Sequence, residues 1–293
     1  MPGMSARTYG TVLVVIATIL WSSAGFFVRA VEHLDIWTIL AWRSLFGAIT
    51  LCGVALYQSK LRLGPLLPSL GRHGAIAAVI SAVSMLSYIV ALKLTTVANV
   101  LAIYGTVPFV ASGLAFVWMG ERVERRVLVA SGIALAGVLI VAGFAVRPQD
   151  IAGNALAFLM TLTFATLLIM SRRYPFLKTA PVNALAAFLC AFVCLPLMPA
   201  VLLTPFELMI LAMFGFCTTA LAYLLFMAGG RHIPPAEAGL IGLLDVVLGP
   251  FWVWLAFGEQ PARTTLIGGS LILAAVAWHL YRGWRPAPKT AGL

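Results

Sequence analysis

The carboxyl groups inside apolar segments are the side chains of this sequence with the clearest capacity for chemistry. Asp245 lies near the middle of a long apolar run and is the only acidic residue so placed. A carboxyl there could bind the ammonium group of a substrate or a coupling proton, or it could be a protonated or paired group that holds helices together. Because a charged side chain at the centre of a membrane helix costs roughly 2.5 to 3.5 kcal/mol, Asp245 is the first candidate for a ligand site.

Three further polar residues each allow two interpretations. Glu237 follows Pro234 and Pro235 at the start of the same run, where the helix dipole favours a carboxylate, and it could also mark the mouth of a cavity. Asn99 corresponds to Glu237 at an offset of 138 in the numbering and is either a bridge between helices or the equivalent mouth residue. Arg43 lies early in the second apolar run, where it could pair with a helix carbonyl or acid, or attract a substrate carboxylate.

Aromatic and hydroxyl side chains recur at matching distances along the two halves of the chain. Trp21 and Phe164 match at an offset of 143, and Tyr88 and Tyr223 match at an offset of 135, as do Ser84 and Thr219. Most aromatic residues of membrane proteins pack or anchor at the lipid interface, so the matched pairs are the ones that suggest a cavity lining. The predicted cavity residues are Trp21, Ser22, Ser84, Tyr88, Asn99, Tyr104, Phe164, Thr219, Tyr223 and Asp245.

Enzyme and metal signatures are missing from the sequence. There is no HExxH, GxSxG or Walker A motif, and no GxGxxG motif opens a helix. The four histidines are scattered, and no cysteine has the spacing of a metal ligand; the cysteines are Cys52, Cys190, Cys194 and Cys217. We therefore predict no catalytic residue, no metal and no other cofactor. Without an ATP-binding motif, any transport must run downhill or on an ion gradient.

The composition explains why these polar groups stand out. Of 293 residues, 62% are apolar and 10% are charged, which is too little polar surface to cover a globule in water. The net charge of +10 does not indicate nucleic-acid binding, because the basic residues occur singly or in short groups between apolar runs. Lipid is the predicted solvent for most of the chain, and no soluble domain is expected.

Ten apolar runs are long enough to cross a bilayer of about 30 Å as helices. They are predicted at 10–31, 36–57, 74–92, 97–119, 127–146, 151–171, 181–203, 208–229, 236–257 and 264–282. With both termini in the cytoplasm, fourteen of the nineteen basic residues fall on the cytoplasmic side, four on the other side, and Arg43 within a span. This bias strongly favours an even number of spans.

The two halves of the sequence carry an internal repeat. An offset of 138 in the numbering pairs Gly120 with Gly258 and Glu121 with Glu259 at the ends of two apolar runs. Five spans in each half is an odd number, so the second half must enter the membrane from the opposite side. We predict an all-α protein of two inverted five-helix repeats at 1–148 and 149–285, with a short cytoplasmic tail at 286–293. Duplication without alternating access, as in some channels, is the alternative.

Several segments together resemble the EamA family of the drug/metabolite transporter superfamily. They are LWSSAGFFVRA from Leu20, LAWRSLFGA around Arg43, ALKLTTVANVLAIYGTVPF from Ala91, WMGERVERRVLVASGIALAGV through Glu121, and GGRHIPPAEAGLIGLLDVVLGPFWVWLAFGEQ from Gly229. The resemblance implies a ten-helix carrier of the bacterial inner membrane, commonly an exporter of amino acids and related metabolites. It also implies a central cavity lined by helices 1, 3, 4, 6, 8 and 9.

One departure from that family concerns its matching prolines in helices 4 and 9. Here Pro108 and Pro250 are related by an offset of 142 rather than 138, which predicts that the two helices bend unequally. The residues predicted to be structural or to take part in gating are Arg43, Pro108, Gly120, Glu121, Glu237, Pro250, Gly258 and Glu259.

The sequence therefore predicts a secondary carrier that exports amino acids, among them aromatic or hydrophobic ones, or similar small metabolites by alternating access. The alternatives are an efflux carrier for cationic compounds, an intramembrane enzyme and a channel. The expected partners are the small-molecule substrate, the lipid bilayer and a proton as candidate coupling ion, with no nucleic acid. The expected oligomeric state is a monomer or a weak dimer.

Overall fold

The computed structural model describes residues 5–60, 66–143 and 148–284, and within those ranges every regular element is helical. The predicted tail at 286–293 lies outside the described residues. The α-helices are Ala6–Ser22, Ala24–Ala30, Ile36–Gln58, Leu66–Leu94, Val97–Tyr104, Val107–Met119, Arg125–Ala142, Ile151–Arg173, Thr179–Cys194, Pro205–Phe214, Ala222–Gly230, Pro235–Gly242, Asp245–Phe257 and Arg263–Trp284. Two short 3₁₀ segments cover Pro148–Asp150 and Leu195–Leu197, and a π-helical segment covers Gly215–Leu221.

In the described part of the chain these elements form ten helical segments long and apolar enough to cross a membrane, which confirms the predicted number. We name them span 1 to span 10 in chain order: Ala6–Ala30, Ile36–Gln58, Leu70–Leu94, Asn99–Met119, Arg125–Ala142, Pro148–Arg173, Thr179–Leu197, Pro205–Gly230, Pro235–Phe257 and Arg263–Tyr281.

Span 7 shows the largest difference from the predicted boundaries. The apolar run predicts a helix to residue 203, but the helix ends with a 3₁₀ turn at Leu197. Met198 is extended, with φ −79° and ψ 140°. It precedes Pro199, and a residue before proline is disfavoured in the α region. Hydropathy alone missed this end because the residues beyond it are still apolar.

Spans 4 and 9 are both interrupted, and at equivalent positions. Span 4 breaks between Val97–Tyr104 and Val107–Met119, and span 9 between Pro235–Gly242 and Asp245–Phe257, so each boundary number in span 9 exceeds its counterpart by 138. Pro108 lies in the first turn of the second segment of span 4 and lacks the N–H that would continue the helix. The two breaks therefore lie at equivalent positions, although Pro108 and Pro250 do not.

The cause of the break differs in span 9. Pro250 lies inside the second segment, several residues beyond the break. At the break itself the Leu243 N–H donates to the Leu240 carbonyl at 3.2 Å and the Leu244 N–H to the Ile241 carbonyl at 3.0 Å. These bonds link residues three apart, as in a 3₁₀ turn, and so tighten the helix. The tightening occurs next to Gly242, whose backbone is the least restricted because it has no Cβ atom.

The most extensive contacts between spans join 1 with 8, 3 with 6, 2 with 7 and 5 with 10, followed by 2 with 8, 3 with 7, 4 with 6, 1 with 9 and 4 with 9. If each span is replaced by its counterpart in the other half (1 by 6, 2 by 7 and so on, and the reverse), the same set of pairs results. Small residues allow the closest approaches; a Cβ atom placed on Gly137 of span 5 would lie 2.5 Å from the Gly268 carbonyl oxygen of span 10. Such backbone contact is typical of helix packing in lipid.

Side-chain contacts group the helix termini into two ends of the bundle. Arg7, near the start of span 1, contacts Glu237 at the start of span 9 at 2.8 Å. Arg29 lies at the other end of span 1, about 33 Å away at 1.5 Å per residue, and pairs with Glu259. We call these the Arg7 end and the Arg29 end.

Candidate functional site

A cavity of about 190 Å³ lies between the two ends of the bundle. Its wall is drawn from seven spans: 1, 2, 3, 4, 6, 8 and 9. The lining residues are Trp21, Ala24, Arg43, Ser81, Ser84, Met85, Tyr88, Val100, Leu101, Tyr104, Met160, Phe164, Thr218, Thr219, Tyr223 and Asp245. All predicted cavity residues except Ser22 and Asn99 are in this wall, and span 2 contributes through Arg43.

Asp245 owes its position to the break in span 9. It is the first residue of the segment Asp245–Phe257, so its carboxyl lies at a helix N-terminus, where the backbone dipole favours negative charge. Asp245 makes no hydrogen bond or ion pair with any side chain in the described part of the protein. Its polar atoms face the cavity, which leaves the carboxyl available to a ligand.

Arg43 brings the opposite charge to the same cavity. Its guanidinium carbon lies 5.0 Å from the centre of the Phe214 ring, within cation–π distance. Its buried Nε has no hydrogen-bond partner among the described residues, so the pairing with a carbonyl or acid considered for Arg43 is not formed there. Tyr88 lines the same cavity as Arg43 and Asp245.

Aromatic rings form one wall of the cavity. The Trp21 ring contacts Phe164 edge-on at a centroid distance of 5.9 Å and Tyr223 at 6.0 Å. Tyr104 lies 6.2 Å from Phe164 on the other side. The two contacts of Trp21 are edge-to-face, and each contributes about 0.5 to 1.5 kcal/mol beyond its buried area.

The π-helical segment of span 8 fixes the Trp21 ring. Within Gly215–Leu221 the backbone bonding pattern widens, and the Ala222 N–H donates to the Cys217 carbonyl five residues earlier. The Trp21 indole Nε1 donates to the Thr218 carbonyl at 2.8 Å. An irregular turn of this kind is common at functional sites because it frees backbone groups for such contacts.

A chain of hydrogen bonds holds the polar side of the cavity. The Ser81 hydroxyl lies 3.1 Å from the Tyr223 hydroxyl and donates to the Asn183 side-chain oxygen at 3.4 Å. The Ser84 hydroxyl donates to the Met160 carbonyl at 3.3 Å. Ser81 was missed by the sequence analysis, although Ser81, Ser84 and Tyr88 follow one helix face at intervals of three and four residues.

Two predicted cavity residues lie elsewhere. The Ser22 hydroxyl accepts a hydrogen bond from the Trp252 indole at 2.9 Å and so ties span 1 to span 9. The Asn99 amide donates to the Thr95 hydroxyl at 2.9 Å, beside a separate cavity of about 220 Å³ that Asn154 also lines. Neither side chain contacts the cavity around Asp245.

The structure also places the residues predicted to be structural or to take part in gating. Gly120 and Gly258 each end a helix in the left-handed conformation, with φ of 66° and 73°. The adjacent Glu121 pairs with Arg172 at 2.9 Å, and Glu259 pairs with Arg29.

Glu237 lies buried at the start of span 9 as part of a charged cluster. One carboxyl oxygen is 2.8 Å from Arg7 and the other is 3.4 Å from His279, both at the Arg7 end. These partners join spans 9 and 10 to the N-terminal segment. The pairing fits the role of a helix-start residue and separates Glu237 from the cavity.

In the described part of the chain, ten apolar spans surround an internal cavity that carries both charged and aromatic groups, as expected of a multi-pass membrane protein. The sequence profile described as the EamA-like transporter family matches residues 8–143 and again 151–281. The chain belongs to this family and is a membrane transporter.

Similar proteins agree with this assignment. A protein of Archaeoglobus fulgidus described as an uncharacterized transporter is 27% identical over 286 residues, covering 92% of this chain and 97% of that protein. A solved crystal structure superposes with a TM-score of 0.80 at 18% identity, over 96% of this chain and 100% of the other. At that identity the likeness concerns the fold alone.

Proposed function

We propose that this transporter is a secondary carrier that exports amino acids, or closely related small metabolites, by alternating access. The observation that carries the proposal is the pair of opposite charges in one cavity. Asp245 and Arg43 both line it, and they form no ion pair with each other in the described structure. A zwitterion supplies the two missing partners: its ammonium group for Asp245 and its carboxylate for Arg43.

The remaining wall indicates which amino acids fit. Trp21, Tyr104 and Phe164 offer aromatic faces and edges to an apolar or aromatic side chain. The volume of about 190 Å³ is below the roughly 300 to 1,000 Å³ of pockets for drug-sized ligands. Arg43 would also repel a cation, so both size and charge favour a small zwitterion over a cationic drug.

Alternating access is supported by the arrangement of the spans. Spans 4 and 9 break at positions related by an offset of 138, and the set of main contacts between spans is unchanged when each span is replaced by its counterpart in the other half. We interpret residues 1–148 and 149–285 as inverted repeats, because each half contributes an odd number of spans. Two related halves around one site can exchange inward-open and outward-open states at similar energy.

The distribution of basic residues supports an orientation with both termini in the cytoplasm of a bacterium and the Arg7 end facing inward. Asp245 is the proposed binding group for a coupling proton, since the same carboxyl can hold either a proton or a substrate ammonium. Each chain contains its own cavity, so we propose that a monomer is the functional unit.

Counterflow in liposomes tests the proposal. Purified protein is reconstituted with unlabelled substrate inside, and uptake of labelled amino acids is measured with a panel that includes aromatic and aliphatic residues. We expect saturable exchange of apolar amino acids. Their methyl esters, which lack the carboxylate, and their N-acetyl derivatives, which lack the ammonium, should compete weakly.

Other outcomes would replace the proposal. Exchange of cationic compounds without exchange of amino acids would indicate an efflux carrier. Flux that rises linearly with concentration and shows no counterflow would indicate a channel. Product formation from the substrate in detergent, with no sealed compartment, would indicate an intramembrane enzyme.

A further inference from the structure

Two ion pairs at opposite ends of the bundle each join spans that line the cavity. At the Arg7 end, Arg172 of span 6 contacts Glu121, just beyond span 4, at 2.9 Å. At the Arg29 end, Arg29 of span 1 pairs with Glu259, just beyond span 9. Each pair therefore fastens together two of the helices that would have to separate for the cavity to open at that end.

The two ion pairs occupy equivalent positions in the two halves of the chain. Arg29 and Arg172 are related by the offset of 143 that also relates Trp21 to Phe164, and Glu121 and Glu259 are related by the offset of 138. Each arginine comes eight residues after its aromatic cavity residue, or about 12 Å along the helix. Each pair also joins one half of the chain to the other, so a motion of one half against the other would stretch both.

We propose that these ion pairs are two latches that break in alternation: the Arg172–Glu121 pair when the cavity opens at the Arg7 end, and the Arg29–Glu259 pair when it opens at the Arg29 end. This inference rests on the alternating access proposed above. Both pairs are formed in the present structure. Partly exposed ion pairs are weak, and a latch must be weak enough to open thermally.

The surroundings of the two latches differ, and the difference predicts a resting preference. Arg172 and Glu121 are 29% and 28% exposed, whereas Arg29 and Glu259 are each 46% exposed. Arg172 also donates to the Ile233 carbonyl at 3.3 Å, ahead of span 9, while Arg29 is shared between Glu259 and Glu32. Water screens the more exposed pair more strongly, so the Arg29 end should open more readily than the Arg7 end.

Thiol labelling from each side of the membrane tests the latches. The reporter is a Ser84→Cys substitution in the cavity wall of the full chain, with the four native cysteines replaced by alanine. A charged methanethiosulfonate reagent that does not cross the bilayer is applied to one face of oriented liposomes at a time. The measured quantity is the ratio of labelling rates from the two faces.

Removing one partner of a latch should shift this ratio toward the end that it closes. We expect Glu121→Gln and Arg172→Gln each to raise labelling from the Arg7 end relative to the Arg29 end by about two- to fivefold. Arg29→Gln and Glu259→Gln should shift the ratio in the opposite direction. Exchanging the charges in the double variant Glu121→Arg with Arg172→Glu should restore the original ratio.

A matched control comes from a third ion pair at the Arg7 end. Glu124 contacts Arg126 at 2.7 Å within one short segment, so it joins no two spans. Glu124→Gln should leave the labelling ratio unchanged. If all four latch variants shift the ratio no more than this control, or all in the same direction, the ion pairs are ordinary surface contacts and the proposal is wrong.

The same measurement separates the latches from the proposed function. Labelling of the reporter thiol from a single face in every variant would count against alternating access itself. If the thiol is labelled from both faces but no latch variant changes the labelling ratio, the result would count against the latches alone.

Crosslinking gives an independent check in case the reporter reacts poorly. Glu121 and Arg172, replaced together by cysteine and joined by a short bifunctional maleimide, should block counterflow by more than tenfold, as should the same treatment of Arg29 and Glu259. Exchange that survives either crosslink would overturn the proposal.

Discussion

Spans 4 and 9 break at the same place, yet the residues at the two breaks differ in kind. The second segment begins at Val107 in span 4 and at Asp245 in span 9. Val107 is fully buried, whereas Asp245 lines the cavity. The residue that ends the first segment is Tyr104 in span 4 and Gly242 in span 9. The backbone breaks are alike in the two halves, but only the break in span 9 carries a charged side chain. This is expected if the shared backbone geometry allows the helices to move and the unshared side chain binds the substrate.

The two broken spans also meet directly. A Cβ atom on Gly239 of span 9 would lie 2.9 Å from Val107 Cγ1, and one on Gly242 would lie 3.3 Å from the Tyr104 hydroxyl. The glycines of span 9 thus make room for the larger residues of span 4. The difference in side chains lets the two breaks pack against each other beside the cavity.

Removing the charge at the break of span 9 should have the largest effect on transport. We expect Asp245→Asn to raise the half-saturation concentration for amino-acid counterflow by about 10- to 100-fold, because a hydrogen bond to a charged group contributes about 1.5 to 3 kcal/mol. Counterflow at a series of substrate concentrations measures it. If the variant transports amino acids normally, Asp245 is a packing residue and the two breaks are chemically equivalent.

A matched control for this substitution exists outside the cavity. The Asp35 side chain caps the start of span 2 by accepting from the Trp37 N–H at 2.8 Å. Asparagine caps helices about as well as aspartate, so Asp35→Asn should leave both folding and counterflow unchanged.

The spans were predictable from sequence because hydropathy depends only on composition along the chain, whereas the site depends on how each helix is rotated and broken. The spacing of matched aromatic residues was enough to indicate Trp21, Phe164, Tyr88 and Tyr223. The sequence left open whether Arg43 pairs within the bundle or meets a substrate carboxylate. Its place in the cavity depends on the rotation of span 2 about its axis, which no pattern in so uniformly apolar a helix reveals.

Backbone irregularities explain the other omissions. Thr218 joins the cavity wall through a π-helical turn, and the break before Asp245 arises from local 3₁₀ bonding rather than from Pro250. Both depend on tertiary contacts that favour a locally strained helix, and the apolar sequence carries no signal for them. The acidic residues of the two ion pairs, by contrast, could be found from the sequence, because the offset of 138 matched Glu121 with Glu259.

Filling the space between the two breaks should destabilise the protein. Gly239→Ala places a methyl group against Val107 and should lower the free energy of unfolding by about 1 to 3 kcal/mol, the usual range for overpacking. Gly249→Ala is the control on the same span, since its nearest neighbour is the Ser22 carbonyl oxygen at 3.8 Å, an ordinary contact. Denaturation in mixed micelles compares the two. Equal stability of both variants would show that the breaks do not pack as tightly as described.

The helix ends beyond the two breaks should respond alike. Gly120 and Gly258 have φ of 66° and 73°, and no atom lies within 4 Å of a Cβ atom at either position. Alanine at either position should therefore reduce the free energy of unfolding by about 1 to 2 kcal/mol through backbone strain alone. Gly113→Ala, in the helical part of span 4 with similar open space, should be neutral or slightly stabilising. Unequal losses at Gly120 and Gly258 would contradict the equivalence of the two ends.

The smallest expected effect concerns the matched tyrosines of spans 3 and 8. The Tyr223 hydroxyl is hydrogen-bonded to Ser81 at 3.1 Å, whereas that of Tyr88 has no hydrogen bond among the described residues. Tyr223→Phe should lower the free energy of unfolding by about 0.5 to 1 kcal/mol, because it removes a buried hydrogen bond. Tyr88→Phe should leave stability unchanged and instead alter counterflow, since Tyr88 lines the same cavity as Arg43 and Asp245. Thermal unfolding and counterflow on the same preparations separate the two effects. Equal losses of stability would mean that the tyrosines share one structural role, and that the asymmetry between the halves does not extend beyond the break in span 9.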